Sequence, residues 1–85
     1  MNSKDRRAIK DAEKLFVFVV NASIEQLRKV IEDMYDKETD KMNNLPESLL
    51  EVTSGQSIAD AIEMLEDKLN ALDDISDEIE SSFSE

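Results

Sequence analysis

From Ile58 to Phe83 one pattern leaves the chain little choice of fold: Ile58, Ile62, Leu65, Leu69, Leu72, Ser76, Ile79 and Phe83 follow one another at alternating steps of four and three. That spacing is a heptad seam, a single stripe down an α-helix, and only Ser76 interrupts it with a polar side chain. A helix carrying this stripe is on the order of 40 Å long at about 1.5 Å per residue. Alone in water such a helix is marginal, so the seam has to pack against another helix. Ala61, Met64, Ala71 and Ile75 form a second, weaker flank beside it.

The first half of the chain supplies the partner. From about Lys4 to Met42, Ile9, Ala12, Phe16, Val19 or Val20, Ile24, Leu27, Ile31 and Met34 recur at helical steps. Within this stretch Leu15–Val20 is six apolar residues in a row and rich in β-formers. A helix is expected there as well, because no other segment reads as a partner strand and a lone strand leaves its backbone groups unpaired. The Ser-x-x-Gln box at Ser23–Gln26 keeps a break near Asn21 open as an alternative. Six consecutive apolar residues wrap right round a helix, so more than one neighbour is needed to cover them.

Proline at 46 disfavours helix in the residue before it and has no N–H to give, so Asn43-Asn44-Leu45-Pro46 should end the first helix. Pro46 then suits the opening of a short helical turn, with Glu47 favourable near its N-terminus. Thr53-Ser54-Gly55-Gln56 reads as a second break and Ser57-x-x-Asp60 as the start of the last helix. The expected architecture is therefore all-α. It is a single domain over residues 1–85, a long antiparallel helical hairpin with a helix at about 4–42, a short helical turn at about 46–52 and a helix at about 57–83. Assembly into a coiled-coil or helical-bundle oligomer would cover the apolar belt, with Phe16, Phe18, Val20 and Leu69 as the residues expected to mediate it.

Composition removes most chemistry. The chain has no Cys, no His and no Trp, one Gly and one Pro. Disulfides, ordinary zinc or copper sites, a Cys or Ser/His nucleophile pair, an imidazole base and a Gly-rich phosphate loop are all excluded as readings. Asp36, Glu38, Asp40 and Glu47 fall at positions 1, 3, 5 and 12 of a calcium loop, yet Lys41 stands where the sharp turn needs Gly and Pro46 interrupts the loop. No catalytic residue, metal ligand or cofactor is expected, and the chain reads as a non-enzyme. No apolar run reaches bilayer length either, so the expectation is a protein without a membrane segment that stays in the cytoplasm, or in the host cytoplasm if phage-encoded.

The net charge of −11 is unevenly placed. Residues 1–43 hold nine basic and nine acidic side chains, whereas residues 44–85 hold twelve acids against Lys68 alone. Direct nucleic-acid binding, which needs a basic surface to release counterions from phosphate, is not expected. Asp60, Glu63, Asp67, Asp73, Asp74, Asp77, Glu78 and Glu80 lie off the heptad seam and are the candidate partner-binding face. Carboxylates three, four and seven residues apart on a helix lie roughly 5–10 Å apart, comparable to neighbouring phosphates along a nucleic-acid strand, so the array suits a partner with a basic surface.

Asn44-Leu45-Pro46-Glu47-Ser48-Leu49, followed by a helix rich in Ala, Glu and Leu, resembles a set of small acidic helical proteins from Gram-positive bacteria and their phages. The resemblance spans about residues 27–82 and implies a mobile-element context, in which small acidic proteins inhibit host enzymes or defence systems. The function expected is thus binding of another protein, as a phage-encoded inhibitor of a host nuclease or defence complex of the anti-CRISPR or DNA-mimic type. The alternative is a structural coiled-coil adaptor whose charge only solvates it.

Overall fold

A computed structural model describes residues 1–50 and 53–83. The chain is all-α, with α1 over Ser3–Asn44, α2 over Glu47–Leu50 and α3 over Thr53–Phe83. There is no break near Asn21, and the β-prone Leu15–Val20 run is helical throughout. Asn2 caps the start of α1, its side-chain oxygen accepting from the Asp5 N–H at 2.8 Å and its carbonyl from the Arg6 N–H at 3.1 Å. At the other end Leu45 is extended, with φ −73° and ψ 131°, the backbone that a following proline imposes. The Pro46 carbonyl accepts from the Leu49 N–H at 2.8 Å, which starts α2; residues 51 and 52 of the expected turn lie outside the described residues.

The last helix begins at Thr53, four residues before the expected Ser57. Gly55, read as part of a break, sits in the first turn of α3 at an ordinary negative φ and is buried. A first turn has backbone N–H groups without helical partners in any case, so glycine weakens a helix least there. Burial shows what the residue supplies instead: a place where the backbone is closely covered.

α1 and α3 run antiparallel. As residue numbers rise along α1 they fall along α3: Phe16 meets Phe83, Arg28 meets Asp73 and Tyr35 meets Glu66. The core is thin. Ile31, Leu65 and Leu72 form its centre, with Ile24, Tyr35 and Leu69 packed around them, and Ile79 is buried further along. On α3 the heptad seam faces α1 as expected from Ile58 to Ile79, while Phe83 is 40% exposed and holds the end through an edge-on ring contact with Phe16.

On α1 the stripe needs correction. Val20, Ile24 and Ile31 face inward, but Ile9, Ala12, Phe16, Val19, Leu27 and Met34 are exposed. The inward positions are Val17, Val20, Ile24, Arg28, Ile31, Tyr35, Glu38 and Met42, again at steps of three and four. Two of these eight are charged, which conceals the seam in the sequence. Arg28 and Glu38 fill such positions with their aliphatic stems while their heads reach toward water. Arg28 pairs with Asp73 across the hairpin, and Glu38 accepts from Lys41 at 2.9 Å.

The result is a rod of 69 × 15 × 15 Å with a radius of gyration of 19.8 Å. A compact domain of this length would have a radius near 12 Å.

Candidate functional site: an acidic side and an apolar side

Side chains at equivalent angles on two antiparallel helices fall on predictable sides of the layer they form. On α1 the residues Ile9, Ala12, Phe16, Val19, Leu27, Val30 and Met34 lie about a quarter-turn from the inward seam, on the side opposite to chain advance. On α3, Ala61, Met64, Lys68, Ala71 and Ile75 lie about a quarter-turn from their seam in the same sense. Because the helices run in opposite directions, both flanks emerge on the same side of the hairpin. Phe16, Val19, Leu27, Val30 and Met34 on α1, with Met64 and Ile75 on α3, are each about half exposed. A shallow, open, almost wholly apolar groove on α1 is lined by Phe18, Val19, Ala22, Ser23, Leu27 and Val30.

The other side is polar. Two cross-hairpin side-chain links lie there: Arg28 donates to Asp73, and the Tyr35 hydroxyl donates to Glu66 Oε1 at 3.3 Å. Lys14, Asn21, Glu25, Glu32 and Asp36 of α1 share that side with Asp73, Asp77 and Glu80 of α3, by the same angular placement.

All eight acids of the expected partner-binding face are exposed. Asp73, Asp77 and Glu80 are on the polar side, Glu63, Asp67 and Asp74 on the back of α3, and Asp60 and Glu78 at the rim of the apolar flank. The structure thus brings them into one continuous arc round α3. Within the arc Asp73 is engaged by Arg28, Asp60 accepts from Gln56 at 2.8 Å, and Glu78 accepts from Ser82 at 3.3 Å.

The four residues expected to mediate self-association separate. Val20 and Leu69 are half-buried inside the hairpin, Leu69 against the central core, so their apolar surface is largely used within one chain. Phe16 packs edge-on against Phe83 with ring centres 5.2 Å apart, yet keeps 46% of its surface exposed on the apolar side. Phe18 is 72% exposed and looks away from the broad apolar side, standing between the α1 groove and a hollow it shares with Lys14, Asn21 and Phe83. Sequence reading missed Val30, Met64 and Ile75 as members of one surface. The signal was present in the weak flank of α3, but only the antiparallel pairing sets that flank beside the flank of α1.

Asp36, Glu38 and Asp40 lie along continuous α1 and form no loop. Among the described residues no group of carboxylates is gathered as a metal site, and no helix is long and apolar enough to cross a membrane. Neither a family model, nor a curated protein, nor a solved structure matches the chain.

Proposed function

We propose that the chain is a non-enzymatic α-helical protein that acts by binding another protein, and that the acidic arc of α3 meets a basic surface on it. The observation that supports this reading is the exposure of all eight acids on one continuous 31-residue helix whose only basic residue is Lys68. A fixed helical array needs little ordering on binding, and dense like charge steers a cationic partner to it. Given the phage-type resemblance, the partner would be a host nuclease or defence complex whose phosphate-binding groove accepts the helix as a DNA mimic.

A second reading, a structural coiled-coil adaptor with solvating charge, is supported by the apolar side of the hairpin. Salt separates the two. Pull-down from host lysate supplies the partner, and its affinity is then measured from 0.1 to 1 M salt, over which the screening length falls from about 10 to about 3 Å. Binding through the acidic arc should collapse over that range and vanish when Asp73, Asp74, Asp77 and Glu78 are reversed to Lys. Affinity that survives both treatments and instead falls with Leu27→Ala would overturn the acidic-arc reading in favour of the adaptor.

A further inference from the structure

We infer that the apolar side of the hairpin is covered by a second copy of this chain, giving a two-fold symmetric four-helix bundle with the acidic arcs outside. The inference rests on the apolar flanks and does not depend on the acidic arc binding a partner.

Area is the first support. The chain exposes 6712 Å². A compact monomer of its mass would expose roughly 5,100 Å², so the excess is about 1,600 Å². On the apolar side, Phe16, Val19, Leu27, Val30, Met34, Met64 and Ile75 each keep 44–52% of their surface in water. At roughly 80–100 Å² apiece they offer about 600 Å², and the small residues between them bring this toward the about 800 Å² per partner of a standard interface. Among the described residues no side chain is fully buried. A second layer would turn the present half-core into the enclosed centre that helix bundles have.

Charge selects the occupant and its pose. A partner of strongly basic character would be drawn to the acidic arc, on the other side of the rod, whereas the apolar side offers side chains of low charge to a like surface. A second copy can lay α1 over the partner's α3 or over the partner's α1. The latter would set the two acidic α3 helices side by side, with Asp60 and Glu78 at both rims. Laying α1 over α3 about an axis along the rod instead places Lys37 and Lys41, on the α1 flank near the loop end, at the level of Asp60 on the other chain. All neighbouring helices are then antiparallel, and the contact is isologous, as two-fold symmetry requires. Lys68 is the one charge within the α3 flank, and its stem is long enough to carry the ammonium to the edge.

Sedimentation equilibrium and light scattering over a dilution series from low micromolar to submillimolar test this. The expected particle has twice the chain mass of 9.7 kDa. Val30→Lys and, separately, Ile75→Lys should each halve the mass while the circular dichroism at 222 nm stays helical, since both residues are off the hairpin seam. Glu32→Lys, the matched lysine on the polar side, should leave the mass doubled. A dimer that survives both flank substitutions overturns the assignment of the face. A wild-type monomer throughout the series overturns the second copy as occupant. Loss of partner binding on reversal of the arc acids, with the dimer mass intact, would separate that reading from this one.

Discussion

Leu72 and Leu27 are the same residue type on facing helices, yet one is 7% exposed in the central core and the other 49% exposed on the apolar flank. Leu72→Ala removes three buried carbons, about 2.4 kcal/mol at about 0.8 kcal/mol each. The cavity contribution should be small, because in a rod only 15 Å thick the neighbouring side chains can settle into the gap. About 2.5–3 kcal/mol is therefore expected, at the lower end for buried leucines. Against a total of roughly 4–13 kcal/mol for a chain of this length, that is a large fraction. It should lower the melting temperature by about 10–20 °C. Leu27→Ala, with half its surface already in water, should cost roughly 1 kcal/mol at the lowest workable protein concentration. Urea denaturation followed by circular dichroism suits a chain without tryptophan. A second copy on the flank adds a concentration dependence: the cost of Leu27→Ala should grow as protein is added, and that of Leu72→Ala should be present at every concentration. Equal costs for the two variants in dilute solution would refute the assignment of inside and outside.

The Arg28–Asp73 pair is partly solvated, with side chains 31% and 59% exposed, so a double-mutant cycle to Ala should return a coupling of only about 0.2–1 kcal/mol that fades in 1 M salt. A larger, salt-insensitive coupling would mean that the pair is shielded from water. For Phe16 and Phe83, whose rings meet at 66°, a cycle to Leu should give about 0.5–1.5 kcal/mol. Hydrogen exchange in Phe83→Leu should rise at the end of α3 near Phe83 and leave the region of Leu65 unchanged; uniform acceleration along both helices would contradict a local clasp.

The two long helices differ in how far their sequences reveal them. α3 has one dominant apolar stripe beside a much weaker flank, so its heptad spacing can be converted directly into an inward face, and every seam residue from Ile58 to Ile79 obeys it. α1 carries two apolar stripes about a quarter-turn apart. Periodicity alone merges them, which is why Phe16, Leu27 and Met34 read as seam residues while Val17, Tyr35 and Met42 did not. Arg28 and Glu38 deepen the ambiguity by placing charged residue types at inward positions. The start of α3 was obscured for another reason: Thr53-Ser54-Gly55 has turn composition, but a first helical turn tolerates these residues, and Gly55 is covered rather than turning the chain. The acidic arc was legible because off-seam residues on a helix with one dominant stripe face outward wherever the partner lies. The shared apolar side was not, because its existence depends on the direction in which the second helix runs.

Phe83 is level with Phe16, so the first turns of α1 project past the last described turn of α3 as a single helix. Its residues from Ser3 to Ala12 are all exposed, and Lys4, Arg6, Arg7 and Lys10 make it the only cationic tip of an otherwise acidic rod. A spur of about 15–20 Å draws much of its helicity from capping and from the helix behind it. All of its side chains are exposed, so substitutions at its first turn meet few of the volume constraints that govern the hairpin. The same tip gives the particle opposite electrical ends, and a rod so polarised orients before it touches a charged surface.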